Sequence, residues 1–188
     1  MYITVYLGAN PGNDPELGDT VRALGRWIGE KGHTLVYGGS KSGLMGELAT
    51  ATLAAGGRVI GVETRFFMEQ NVQQEGLTRL LVTETMAERK TKMIELGEAF
   101  IAFPGGTGTL EEIAEVMSRV SLGQLDAPCI LYNLHGYYDH LQALLEQMIA
   151  AGLSTPERQR GIRFAADLDE IEELLNETRT EEHRLCCE

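Results

Sequence analysis

The chain has 188 residues, 43% hydrophobic and 23% charged, with a formal net charge of −12 from 16 Lys and Arg against 28 Asp and Glu. That length supports one domain, residues 1–188, with a substantial core. The acidity argues against a general nucleic-acid surface, and no apolar run approaches the roughly 20 residues of a membrane span.

Met1-Tyr2-Ile3-Thr4-Val5-Tyr6-Leu7 has no basic flank and runs straight into Gly8. It reads as a first strand and not a leader, which makes a cytoplasmic location the expectation. Further apolar runs at Thr34–Tyr37, Arg58–Val62, Leu80–Val82, Phe100–Phe103 and Cys129–Tyr132 alternate with helical stretches near Leu17–Gly29, Leu44–Ala55, Met86–Leu96, Leu110–Leu122 and Tyr138–Ala150. This alternation predicts an α/β fold, a Rossmann-like, doubly wound and mostly parallel sheet with helices on both faces. Ligands in such sheets bind beyond the carboxyl ends of the strands, and Gly8, Gly38-Gly39, Gly61 and Gly105-Gly106 follow or end strands there. Residues 63–76 form a long, weakly patterned connection. From Asp167 to Glu188, nine acids face Arg179 and Arg184, which predicts a solvated C-terminal helix and tail. Trp27 and Cys129 sit among apolar neighbours and are assigned to the core. Cys186 and Cys187 read as exposed thiols; the three cysteines offer neither zinc spacing nor a disulfide framework.

Two segments carry chemistry. Pro104-Gly105-Gly106-Thr107-Gly108-Thr109-Leu110-Glu111-Glu112 joins a buried strand to an amphipathic helix. Glycines allow close backbone approach, and the free N–H groups of a helix start attract an anion. Glu112 fits two roles, an acid or base acting on the anion's owner, or the distal half of a capping box with Thr109 as N-cap. Thr85–Glu88 fits a capping box as well. In the second segment, Met86, Met93 and Leu96 define an apolar stripe on which Arg89 and Lys90 also fall. Two cations there need partners or a bound anion; snorkelling or a structural ion pair would equally serve. Gly38-Gly39-Ser40-Lys41-Ser42-Gly43 is either a backbone nest or a tight turn with Ser42 as cap. His33, His135, His140 and His183 are scattered and pair with no serine or cysteine. Neither a dinucleotide fingerprint nor a Walker loop is present; no cofactor and no metal is called for.

Together these segments resemble the Lonely Guy family, cytokinin-activating phosphoribohydrolases formerly described as lysine decarboxylases. The family pattern Pro-Gly-Gly-x-Gly-Thr-x-x-Glu is Pro104–Glu112 here, and its Met-x-x-Arg-Lys is Met86–Lys90. Tyr37-Gly38-Gly39, Gly43-Leu44-Met45-Gly46, Gly57–Gly61 and Asn133–Tyr138 extend the match over residues 1–153. The resemblance implies hydrolysis of the N-glycosidic bond of a nucleoside 5′-monophosphate to free base and ribose 5-phosphate by a homodimer. It implies Arg89 and Glu112 as the catalytic pair. The substrate-binding set is Gly39, Asn71, Met86, Lys90, Gly105, Gly106, Thr107, Gly108, Thr109, Glu111 and Ser118. On this reading Arg89 keeps Glu112 ionised. The chain departs from the family at Leu7-Gly8-Ala9-Asn10 (Cys-Gly-Ser), Thr107 (aromatic), Asn71 (Glu), Ser118-Arg119 (Thr-Trp) and Glu98 (Asp). These changes bear on the base more than on the reaction, so AMP or another purine monophosphate stands beside the cytokinin nucleotides. A phosphate-binding module without turnover is the alternative.

Overall fold

The computed structural model describes residues 1–70 and 72–185, with side chains through residue 177. Asn71, Cys186 and Cys187 lie outside the described residues. In chain order the elements are β1 (Tyr2–Tyr6), α1 (Glu16–Glu30), β2 (Thr34–Tyr37), α2 (Gly43–Ala54), β3 (Arg58–Thr64), α3 (Arg65–Met68), β4 (Arg79–Thr83), α4 (Met86–Leu96), β5 (Ala99–Ala102), α5 (Thr107–Ser121), β6 (Cys129–Tyr132), α6 (Asp139–Ala150), α7 (Pro156–Gln159), β7 (Ile162–Ala165) and α8 (Leu168–Leu185).

Among the described residues seven strands form one sheet in the order β4-β3-β2-β1-β5-β6-β7, and each strand pairs with its neighbours in parallel. Strand order therefore reverses between β1 and β5, which opens a crevice at their carboxyl ends. The central strands are buried on both faces, so they read as apolar runs without polar alternation. One core layer joins Ile3, Val5, Leu35 and Ile101 to Leu24, Ile28 and Leu48 of α1 and α2. The other joins Tyr6, Val36, Val62 and Phe100 to Met93 of α4 and Ile113 and Val116 of α5. Trp27 and Cys129 are buried as expected.

Two elements differ from the sequence expectation. β7 pairs with β6 from Cys129↔Ile162 to Tyr132↔Ala165; four residues, half of them buried, carry too little periodicity to be recognised alone. α8 is more than a solvated helix. Its Ile171 and Leu175 are buried in the core, and Glu172 accepts from Trp27 Nε1 at 3.0 Å and pairs with Lys31. The acidic composition hid an apolar stripe at i and i+4. The connection at residues 63–76 also holds the short helix α3. Among the described residues no helix is long and apolar enough to cross a membrane.

α1 and α2 approach closely because Gly25 faces Leu48 and Ala51. A Cβ on Gly25 would lie 2.6 Å from the Leu48 carbonyl and 2.9 Å from Ala51 Cβ. Gly25→Ala is expected to cost about 1–3 kcal/mol through overpacking, read as a lower urea midpoint with an unchanged m value.

Candidate active site

The crevice at the β1/β5 switch point is a cleft of ≈ 620 Å³. One wall is the turn from β5 into α5, Pro104 to Thr109; the opposite rim comes from the β1–α1 loop, with Gly8, Asn10 and Asp14; Met86, Arg89, Glu111 and Glu112 complete it.

The turn is built to present amides. Gly106 is the N-cap of α5, in extended conformation, and contributes no side-chain cap. The first helical bond runs from Leu110 N–H to Gly106 C=O at 3.1 Å, so the N–H groups of Thr107, Gly108 and Thr109 have no intrahelical acceptor. Thr109 is buried at the third helical position. Its Oγ1 has no partner among the described residues, and a Cβ on Gly105 would sit 2.2 Å from that oxygen. Tyr138 donates to the Phe103 carbonyl at 2.9 Å and Tyr137 to the Gly105 carbonyl. The loop after β6 thus ties down the turn, and its His135 and Tyr137 also line the cleft.

This placement decides the capping question. α5 starts two residues before Thr109, so Thr109 and Glu112 form no capping box. Glu112 accepts instead from Arg89 Nη1 at 2.7 Å, with both side chains almost wholly buried. At Thr85 the box is half made: Thr85 Oγ1 accepts from Glu88 N–H at 3.1 Å, while Glu88 Oε2 accepts from Glu84 N–H at 3.0 Å and not from Thr85.

Arg89 stands one turn into α4 and is 7% exposed. Its Nε donates to the Val62 carbonyl at 2.9 Å and lies 3.6 Å from Glu63 Oε1. The guanidinium lies against Gly38, where a Cβ would come 2.1 Å from Nη2. The two cations of the stripe are therefore resolved by ion pairs. Lys90 does not line the cleft; its Nζ sits 2.7 Å from Glu111 and 3.3 Å from Glu115, and Glu115 also pairs with Arg119 at 2.6 Å. Hydrogen bonding to Glu111 holds the Lys90 ammonium above its usual range. Met86, expected on the buried stripe, is 43% exposed and faces the cleft.

Arg89 favours the ionised form of Glu112, as expected, but it is not the dominant influence. Burial raises the carboxyl above its ordinary value, and the guanidinium only offsets part of that rise. Glu63 is raised for the same first reason, with Thr64 N–H and Arg89 opposing.

The cleft brings together Met86, Gly105, Gly106, Thr107, Gly108, Thr109 and Glu111 with Arg89 and Glu112. Gly39 and Ser118 stand outside its lining. Gly39 has a positive φ of 84° and backs onto Glu63 Cβ, 3.2 Å from where its own Cβ would be. Ser118 is exposed on α5. The glycine turn after β2 is a tight strand-to-helix corner; Ser42 is the N-cap of α2 without a side-chain bond and donates its N–H to Ser40 Oγ. Sequence reasoning missed His135 and Glu63. His135 holds φ 51° and bridges Asp14 at 3.2 Å and Glu16 at 3.1 Å across the cleft rim; these acids are about 120 residues away in sequence, which spacing cannot reveal. Glu63 had only one signal, an acid ending an apolar strand.

Residues 45–175 match the family model described as "Possible lysine decarboxylase". A cytokinin riboside 5′-monophosphate phosphoribohydrolase of Rhodococcoides fascians is 40% identical over 168 residues, 89% of this chain and 85% of that one. An Arabidopsis thaliana protein of the same name is 34% identical over 175 residues, covering 93% and 82%. Among solved structures, the molybdenum cofactor carrier protein of Chlamydomonas reinhardtii superposes with a TM-score of 0.71 at 20% identity over 95% of this chain and 98% of that one. The molybdenum cofactor binding protein of Rippkaea orientalis gives 0.69 at 23%, over 94% and 95%; at such identities the likeness concerns the fold alone. With relatives this similar over most of its length and a matching family model, the chain belongs to the Lonely Guy family.

Proposed function

We propose that this chain hydrolyses the N-glycosidic bond of a nucleoside 5′-monophosphate, releasing free base and ribose 5-phosphate. The observation that carries this reading is the buried Arg89–Glu112 pair sharing one cleft with the amide-lined turn at Gly105–Thr109. The turn grips the 5′-phosphate, a part of the substrate remote from the bond that breaks, and so positions the sugar. Breaking the bond between C1′ and the base nitrogen builds positive charge on the sugar, which the Glu112 carboxylate stabilises while it orients water. The hydroxyl of that water ends on C1′ and its proton on the departing base. Arg89, fixed by Val62 and Glu112, offers rigid donors to the charge that develops on the base.

Lysine chemistry has less support. A Schiff base needs a neutral amine, whereas Lys90 is held charged by Glu111, and Lys92 pairs with Glu95 at 2.9 Å.

The substrate is a purine nucleotide, with AMP beside the cytokinin nucleotides, and the enzyme acts in the cytoplasm as a homodimer. Leu110 in the first turn of α5 and Leu122 at its C-cap, 45% and 60% exposed, leave apolar surface along that helix that supports association. Light scattering on the purified chain reads the mass directly.

Incubation with a panel of nucleoside 5′-monophosphates, followed by chromatography, is expected to yield base and ribose 5-phosphate in equal amounts. The matching nucleosides should react far more slowly. Tight nucleotide binding with no base released would instead identify a binding module. Gly105→Ala, which drives a methyl into Thr109 Oγ1, is expected to raise KM about tenfold, a loss of near 1.4 kcal/mol in ground-state binding.

A further inference from the structure

Glu63 has no task in the reaction as described above, yet at 3% exposure it is more buried than Glu112. Alternation along β3 sends Ile60 and Val62 to the core beneath α4 and α5, and Val59 to the core beneath α1 and α2. Glu63 therefore starts from the second side. Arg89 comes from the first. They meet above the strand ends, where Glu63 Oε1 accepts from Thr64 N–H at 2.9 Å and faces Arg89 Nε at 3.6 Å. Two buried carboxylates thus flank one buried guanidinium. Such an arrangement is a poor source of stability, since apolar residues of similar volume serve a core at least as well.

We propose that Glu63 is a positioning residue of the hydrolytic site, a second buried carboxylate that acts through Arg89 by fixing the Nε edge of the guanidinium while Nη1 addresses Glu112. The inference rests on the hydrolase reading. Held along one edge by Val62 and Glu63 and at one tip by Glu112, Arg89 cannot follow a substrate or rotate away from the acid. Charge adds a second effect. One cation shared between two anions neutralises each incompletely, so the charge on one acid bears on the other.

The groups around the cluster leave that pair as the titrating element inside it. Tyr6 of β1 and Tyr37 of β2 are phenols raised by burial, with Glu112 and Glu63 respectively adding to the rise. The Cys129 thiol of β6 is raised by burial too. Lys90 on α4 is held charged by Glu111 and Glu115 of α5. Glu63 and Glu112 are both raised by burial; Glu112 adds to the rise at Glu63, and Glu111 of α5 adds to the rise at Glu112.

The test is the pH dependence of kcat in wild type, Glu63→Gln and Glu63→Asp. Gln keeps an acceptor for Thr64 N–H but withdraws the charge. Its kcat should fall about tenfold to a hundredfold, as expected when a catalytic group loses its aim, with KM for the nucleotide nearly unchanged. The acid limb of its kcat profile should move about one pH unit lower, because a like charge near Glu112 is gone. Glu63→Asp, which keeps the charge but sets it one carbon further from Nε, should fall between. An acid limb unmoved in Glu63→Gln, with kcat within twofold of wild type, would overturn the proposal. If Glu63→Gln does not fold, a kcat within twofold of wild type in Glu63→Asp overturns it equally. Carbon-13 titration of glutamate carboxyls, with Glu112 assigned through Glu112→Gln, separates this proposal from the hydrolase reading. In a protein that releases no base, Glu63 and Glu112 midpoints that shift together still support the coupling, and a Glu112 midpoint indifferent to residue 63 refutes it.

Discussion

Glu112→Gln is expected to lower kcat by about 10²–10⁴-fold, the usual contribution of a positioned acid or base, while KM for the nucleotide stays close to wild type. The separation follows from the geometry. The amide oxygen of Gln can accept from Arg89 Nη1 as the carboxylate does at 2.7 Å, so the guanidinium keeps its place. The amides of Thr107–Thr109 are untouched, and the phosphate grip with them. What disappears is the negative charge beside the sugar, which stabilises the developing cation and orients the water. Because burial raises the Glu112 carboxyl, the acid limb of the wild-type kcat profile should lie above the ordinary glutamate value of about 4.3. Free base measured at saturating substrate reads both effects, and a Gln variant within tenfold of wild type would remove Glu112 from the chemistry.

Arg89→Met should produce the largest stability loss of any single change in the cleft. It leaves Glu63 and Glu112 buried without their cation, and removing one member of a buried ionic cluster costs about 3–5 kcal/mol. The pH dependence gives the loss its signature. Both carboxyls have folded-state values above their unfolded ones, so the native state binds more protons between the two values. Stability then falls as pH rises through that window, and the favourable contribution is fully present only below the unfolded value. Without Arg89 both values rise further and the window widens. Urea denaturation should therefore show a deficit that is greatest near pH 7.5 and shrinks toward pH 5. An equal deficit at both would assign the loss to the Val62 carbonyl and to packing.

Much of the fold was legible because central parallel strands are buried on both faces. Ile3–Leu7, Thr34–Tyr37 and Cys129–Tyr132 read as uninterrupted apolar runs, and the observed strands match them within a residue or two. β7 was not legible, since an edge strand of four residues with exposed Arg163 has neither length nor pattern. α8 was misjudged because net charge describes its outer face and says nothing of Ile171 and Leu175. At the site, helical spacing put Arg89 on a buried face, and the glycine turn marked a wall of the cleft. Spacing could not choose between cap and ion pair for Glu112, because the choice depends on where α5 begins. Gly106 takes the N-cap, and this one-turn offset hands Glu112 to Arg89. Glu63 and His135 lay beyond sequence reasoning because their partners come from distant elements.

The cleft lining contains Asp14, Glu111 and Glu112 against a single arginine. Among the described residues the lining holds no lysine, so on the proposed reading a doubly charged phosphate is anchored by peptide dipoles. Dipoles fixed by a helix do not titrate, are weakly screened at contact range, and survive any substitution that leaves the backbone path intact. On that reading, residues facing the base can change while the phosphate handle stays the same.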